Sequence, residues 1–263
     1  MPFAGINNID CYYEIHGSGS PLVLIAGLAS DSQSWQPVLS GLAKRFKVII
    51  FDNRGIGRTR YPSENFQIST LALDTVSLLD ELKIDKADIL GHSMGGCIAQ
   101  EIAIEYSERV NKLILANTCA VVSPKNKSLF GSLFKTLESG NYELFIRDFF
   151  RLIFTPEYFS DKRNIESAVR SALSYPFLVT PEGFKLQLEA LSNFSSQERL
   201  SRIKSVALLI AGGKDMLVTL EETQLLTDKI PFVKPLRLEN ASHSFQIEQP
   251  GLFIESIVEF LSL

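Results

Sequence analysis

The chain has 263 residues, 45% of them hydrophobic and 21% charged, an ordinary globular composition long enough for one large buried core. A formal net charge of −4 provides no electrostatic footprint for nucleic acid, and no run of Lys or Arg marks a membrane-facing surface. The opening residues Met1-Pro2-Phe3-Ala4-Gly5 carry no basic region followed by an apolar run, and no stretch reaches 18 continuous apolar residues, so neither export nor membrane insertion is expected.

Tyr12 to His16 alternates as a strand, and Gly17-Ser18-Gly19-Ser20-Pro21 is a turn. Leu22 to Ala26 is a solid apolar run, the pattern of a strand covered on both faces, and Gly27-Leu28-Ala29-Ser30 follows as a loop. Ser34 to Phe46 is expected to be a helix, Lys47 to Phe51 a second buried strand, and Asp52 to Thr59 a Gly-rich loop. A helix from Ser69 to Leu82 leads to the strand Ala87 to Leu90, the helix around Cys97 to Ala103, and the strand Val110 to Ala116. After about residue 200 the alternation resumes with Val206 to Ile210, the helix Leu220 to Ile230, the strand Val233 to Leu238, and a closing helix from near Pro250. Strands alternating with helices imply parallel crossovers, with an antiparallel edge at the first pair. Pro235 places the last strand at a sheet edge, because proline cannot donate to a central ladder.

The 78 residues from Ser123 to Leu200 break this rhythm. Their apolar residues fall at helical spacing: Tyr142, Phe145, Ile146, Phe149, Ile153; then Ile165, Val169, Ala172, Leu173; then Phe184, Leu188, Leu191. Thr155-Pro156 and Thr180-Pro181 have the form of an N-cap followed by a first-turn proline. The segment carries 13 of the chain's 26 aromatics in under a third of its length, so an apolar face is expected to close over something. Its basic and acidic residues nearly cancel; Arg147 or Arg151 could anchor one carboxylate, although solvated surface positions are the commoner case.

Gly91-His92-Ser93-Met94-Gly95-Gly96 lies between the Ala87 strand and the Cys97 helix, as G-x-S-x-G in a nucleophile elbow. A serine at so sharp a turn needs glycines on both sides, where a β-carbon would clash. The helix N-terminus beyond it offers free N–H groups to an oxyanion.

A serine hydroxyl needs a base and an orienting acid. Of the three histidines, His16 lies on an early strand far from the carboxyl ends of the sheet, and His92 adjoins Ser93 with its ring directed away. His243 remains, in the loop after the last strand. Asp215, in Gly212-Gly213-Lys214-Asp215 after the Val206 strand, is the candidate acid. The rival position after the preceding strand holds Asn117, which carries no charge. Backbone N–H groups of Leu28 and Met94 are the candidate oxyanion donors. Asp52-x-Arg54-Gly55-x-Gly57 lacks the Lys-Ser/Thr ending of a phosphate loop and is expected to be structural. Cys11, Cys97 and Cys119 form an odd set without metal-ligand spacing, so reduced buried thiols in a cytoplasmic protein are expected, and no metal site.

Gly91-x-Ser93-x-Gly95-Gly96, the Asp52-x-Arg54-Gly55-x-Gly57 loop, Gly213-Lys214-Asp215 and His243-x4-Glu248-x-Pro250 together resemble the α/β-hydrolase superfamily. The likeness covers nearly the whole chain. It implies a mostly parallel eight-stranded sheet flanked by helices, with residues 1–122 and 201–263 as the core and 123–200 as a helical cap between the sixth and seventh strands. It also implies a Ser93-His243-Asp215 triad and no cofactor. Two positions depart from the common pattern: Ala26 where His often precedes Gly27, and Ser242 where Gly often precedes the catalytic histidine. Ser93 disfavours relatives with an aspartate nucleophile, and the general likeness is to small capped esterases and lactonases, including the 3-oxoadipate enol-lactonase-like group.

The expected activity is hydrolysis of a small apolar ester or lactone, with no nucleic acid or membrane partner. A C–C, thioester or amide hydrolase, a perhydrolase side reaction, and a ligand-binding receptor on the same scaffold are the alternatives.

Overall fold

The computed structural model describes residues 3–263. Eight strands, β1 Phe3–Ile6, β2 Ile9–His16, β3 Ser20–Ile25, β4 Phe46–Phe51, β5 Ala87–His92, β6 Val110–Ala116, β7 Val206–Gly212 and β8 Val233–Leu238, form one sheet in the order β1-β2-β4-β3-β5-β6-β7-β8. The first two pairings, β1 with β2 and β2 with β4, are antiparallel, and every later pairing is parallel. Pro235 lies on β8, the terminal strand, where its missing N–H breaks no ladder on the open side. At β3 the strand order reverses direction, between β4 and β5, and the crevice at the carboxyl ends there is where an open α/β sheet binds ligands.

The helices are α1 Gln36–Leu42, α2 Ile68–Glu81, α3 Met94–Glu105, α4 Pro124–Glu138, α5 Tyr142–Ile153, α6 Lys162–Ser174, α7 Pro181–Ser192, α8 Leu220–Lys229, α9 Phe245–Glu248 and α10 Pro250–Ser262. Alternation along the central strands divides their apolar residues between two cores. Val23, Ile25, Ile49 and Ile89 join a core with α2, α3 and α8, while Leu22, Leu24, Val48 and Leu90 pack against Trp35, α1 and α10 on the other face. Helices α4 to α7 lie between β6 and β7 and contribute Phe130, Phe145, Phe184 and Leu191 to the first of these cores.

Two local expectations are corrected and one short strand is added. The helix expected over Ser34 to Phe46 is a 3-10 turn at Ser32–Trp35, capped by the Asp31 carboxylate on Gln33 N–H, followed by α1, which stops at Leu42. The short strand β1 has no counterpart in the sequence pattern, because four residues give too little alternation to register. No helix starts at Thr155-Pro156: the Thr155 N–H and hydroxyl both donate to Glu248 Oε1, at 2.6 and 2.9 Å, residues 156–159 form turns, and α6 begins later under an Asp161 cap. Thr180 does cap α7, accepting from Gly183 N–H at 3.0 Å, with Pro181 in the first turn. Among the described residues no helix is long and apolar enough to cross a membrane.

Candidate active site

Strand β5 ends at His92 and α3 begins at Met94, so Ser93 alone makes the turn, with φ 55° and ψ −120°. Surrounding bonds hold this strained backbone: Ser93 N–H donates to Ala116 O at 3.0 Å, and Ser93 O accepts from Gly96 N–H and Thr118 Oγ1, each at 2.8 Å. A β-carbon at Gly91 would stand 2.1 Å from Gly95 O, and one at Gly95 would stand 2.0 Å from Ile25 O, so both flanking positions exclude a side chain.

His243 leaves the loop after β8 and brings Nδ1 to 2.8 Å from Asp215 Oδ2, in the loop after β7. The two side chains are 4% and 0% exposed. The other Asp215 oxygen accepts from the N–H groups of Leu217 and Val218 at 2.8 and 2.9 Å, which fixes the carboxylate in one orientation. With Nδ1 facing a carboxylate, the neutral ring carries its hydrogen there and keeps Nε2 basic.

Ser93 and His243 line one small cavity of about 20 Å³, together with Gly27, Leu28, Phe149 and Ile153. No hydrogen bond joins Ser93 Oγ to the His243 ring among the described residues; such contacts often tighten only around a bound substrate. Gly27 backs onto the serine, for a β-carbon there would lie 3.1 Å from Ser93 Cβ. The Leu28 and Met94 N–H groups have no hydrogen-bond partner among the described residues, which leaves both available to an incoming oxygen.

His92 stays out of the cavity chemistry. It is buried, and burial, reinforced by the neighbouring His243, pushes its pKa down to about 3. Its Nε2 lies 2.7 Å from His243 O, so that nitrogen carries the hydrogen and donates. Asn117, at φ 47°, gives its Nδ2 hydrogens to Ser242 O and His243 O at 2.8 and 2.7 Å, and its Oδ1 accepts from Gly212 N–H at 2.9 Å. Sequence reasoning assigned neither role, since both side chains bind main-chain atoms that carry no residue signature. His16 sits on β2 and pairs with Glu14 at 2.8 Å, in no contact with this group. Asp52 is fully buried and accepts from Ser32 N–H and from the Arg58 main chain and guanidinium, which makes its loop a structural clasp.

A larger cavity of about 500 Å³ adjoins the small one and shares the walls Ser30, Phe149 and Ile153. Phe145, Phe150, Phe154, Phe159 and Ile247 line it, with Asn164 and the Tyr158 ring among its few polar groups. Neither arginine singled out from the sequence reaches it. Arg147 is held by Glu143 and Glu166 at 2.8 and 2.7 Å, and Arg151 is two-thirds exposed beside Asp148. Among the described residues, no group of three His, Cys, Asp or Glu side chains converges as a metal centre.

A mostly parallel sheet with a strained serine between β5 and α3, and an Asp-His pair delivered by the loops after β7 and β8, define an α/β hydrolase. The chain belongs to the alpha/beta hydrolase fold family, whose model matches residues 20–250. Among its relatives is a candidate carbamate hydrolase, RutD, from Azorhizobium caulinodans, 29% identical over 99% of this chain and 98% of its own. The crystal structure of the enol-lactonase from Burkholderia xenovorans LB400 superimposes with a TM-score of 0.90 at 26% identity, over 100% of both chains. Est816, described as an N-acyl homoserine lactone degrading enzyme, matches with a TM-score of 0.83 at 25% identity, over 98% of this chain and 100% of its own.

Proposed function

We propose that the protein is a serine hydrolase of uncharged carboxylic esters or lactones, working through an acyl-enzyme. Ser93 Oγ attacks the carbonyl carbon while His243 Nε2 takes the hydroxyl proton, and the N–H groups of Leu28 and Met94 receive the oxyanion. Collapse of the tetrahedral intermediate breaks the ester C–O bond, and His243 returns the proton to the leaving oxygen. A water then attacks the acyl-Ser93 ester with the same base, which releases the acid and restores the serine. Asp215 orients His243 and stabilises its imidazolium. Helices α4 to α7, within residues 123–200, serve as the cap over this centre.

The observation that carries this reading is the Asp215-His243 pair at 2.8 Å, with His243 lining the same cavity as Ser93 and Leu28. The adjoining apolar cavity of about 500 Å³ supports an acyl or alkyl group of moderate size. Two relatives named for lactone cleavage support the same bond class. The relative named for carbamate points to attack on a similar carbonyl, but a bare carbamate would leave most of this apolar space unfilled. The three cysteines are free and buried, a state that suits a reducing cytoplasm.

The test is turnover of nitrophenyl esters, lactones and a carbamate, alongside labelling by a serine-directed fluorophosphonate. The expected result is ester or lactone hydrolysis abolished by Ser93→Ala. Labelling of Ser93 without turnover of any substrate would favour the receptor reading instead.

A further inference from the structure

The loop that carries the Leu28 N–H has an unusual support. Ala29 adopts φ 60°, a left-handed conformation that costs a non-glycine residue about 1 kcal/mol or more. Ser30 N–H closes the turn on Gly27 O at 3.3 Å, while Ala29 N–H points outward. That N–H donates to Gln187 Oε1 at 3.2 Å, a side chain from α7, 158 residues along the chain. The Gln187 amide is fully buried, and its Nε2 donates at 2.9 Å to Arg54 O in the Asp52 to Thr59 loop.

Helix α7 is seated for this reach. One turn before Gln187, Gly183 meets the same loop backbone to backbone, since a β-carbon there would lie 2.0 Å from Gly55 O. Gly55, at φ 90°, in turn touches the Gln187 side chain, where a β-carbon would stand 3.2 Å from Cγ. Residues 183 and 187 share a helix face, so the close approach at one fixes the amide at the other. The side chain therefore joins three segments distant in sequence: α7, the Gly55 loop and the loop that bears Leu28.

We propose that Gln187 is a positioning residue for the oxyanion hole: by holding Ala29 N–H it fixes the strained turn that aims Leu28 N–H, and it makes that aim depend on α7 being seated against Gly55. This rests on the hydrolase reading above. An amide held in this way costs no reorganisation as charge develops on the carbonyl oxygen, so its loss falls on the transition state rather than on ground-state binding.

The experiment replaces Gln187→Met, which keeps length and burial but can neither accept from Ala29 N–H nor donate to Arg54 O. The readouts are kcat and KM on an ester that the wild type cleaves, and the Ki of a trifluoromethyl ketone whose hemiketal oxyanion needs the hole. The expected result is a fall in kcat of about ten- to hundred-fold with KM within about three-fold, and a rise in Ki by the same factor as the fall in kcat/KM. An unchanged kcat, a change confined to KM, or a fall in kcat with the ketone Ki unmoved would each overturn the proposal. Should Gln187→Met not fold by circular dichroism, Gln187→Glu takes its place, because burial favours its neutral carboxyl, whose carbonyl oxygen still accepts from Ala29 N–H and whose O–H still donates to Arg54 O. A folded Glu variant is expected to keep kcat and Ki within about five-fold, and a hundred-fold loss in it overturns the proposal. Failure of the wild type to cleave any ester or lactone would sink the hydrolase reading itself, whereas an active wild type with an unaffected Met variant sinks only the role of Gln187.

Discussion

The His92 ring donates from Nε2 to the main-chain carbonyl of His243 at 2.7 Å, so the residue beside Ser93 holds the proposed base by its backbone rather than by its ring. The two rings also pack at 4.9 Å between centroids. Asn117 holds the same carbonyl at 2.7 Å from the carboxyl end of the neighbouring strand β6. One oxygen thus receives two donors, and the imidazole above it has little freedom to turn.

This arrangement has a pH signature. The folded protein keeps His92 neutral down to about 3, while the unfolded chain protonates it near its ordinary value of 6.5. Between those values the unfolded state binds more protons, so stability falls as the pH is lowered, by up to about 1.4 kcal/mol per pH unit. Buried Asp31 and Asp88, whose carboxyls burial raises, act in the opposite direction, so the comparison must be with His92→Asn rather than with wild type alone. Urea unfolding at pH 7, 5.5 and 4.5 is expected to show the wild type losing stability relative to His92→Asn. A difference that stays constant with pH would mean that His92 is not held neutral.

Substitution of the proposed triad is expected to separate the three roles. Ser93→Ala or His243→Ala should lower kcat by about a million-fold, and Asp215→Asn or Asp215→Ala by about ten-thousand-fold. Steady-state assays with active-site titration check this. An active Ser93→Ala protein would end the covalent mechanism, and full activity in Asp215→Ala would reopen the identity of the acid.

Chain-length selectivity follows from the two joined cavities. Each buried methylene contributes about 0.8 kcal/mol, so two added acyl carbons should raise kcat/KM by about ten-fold until the larger cavity is full. Phe149 walls both spaces, and Phe149→Ala is expected to move the optimum toward longer chains. Nitrophenyl esters from acetate to palmitate measure the profile. Because the Arg147 and Arg151 heads are engaged by carboxylates outside this cavity, a dicarboxylate half-ester should rank below the neutral ester of equal length.

Glu248 binds the end of α5 to the His243 loop. Its oxygens accept from Thr155 N–H, Thr155 Oγ1 and Ser242 Oγ, and Ser244 N–H donates to Ile153 O at 2.9 Å. Thr155→Val keeps the shape and loses the hydroxyl, and should cost about 1 kcal/mol. Glu248→Ala removes all three bonds and should cost more, about 2 to 4 kcal/mol, with a lower kcat as the loop loosens. Urea melts and initial rates read both effects, and an unaltered melt for Glu248→Ala would show the contact to be idle.

Much of the fold was legible because it rests on local pattern. The solid apolar runs of β3, β4 and β7 mark strands buried on both faces, Pro235 marks the sheet edge, and the glycines around Ser93 mark the elbow. The pairing of Asp215 with His243 was legible only through position, each residue lying in the first loop after a late strand. What stayed hidden depends on atoms brought together from afar. Ser123 caps α4 on Asn126 N–H with Pro124 in its first turn, yet its apolar residues Phe130, Leu133 and Leu137 went unread beside the stronger aromatic stripe of α5. Thr155 has the sequence of a helix cap, and its hydroxyl accepts from Tyr158 N–H at 3.3 Å, yet only turns follow at residues 156–159 while its own N–H and hydroxyl proton go to Glu248. Gln187 and Asn117 bind main-chain groups, so nothing at the partner positions identifies them in advance.

The Asn117 amide, satisfied by Gly212 N–H and by the carbonyls of Ser242 and His243, also constrains when the protein can become active during synthesis. Its partners lie 95 to 126 residues downstream, so while the ribosome has delivered only the first half of the chain, Ser93 can occupy its elbow but the amide beside it has nothing to bind. Contacts of such sequence separation form late, after the intervening loop has been closed. A nascent chain halted before residue 240 would therefore carry an exposed serine with neither base nor anchoring carbonyl, and hydrolytic competence would arise in one step as the last strand and its loop emerge.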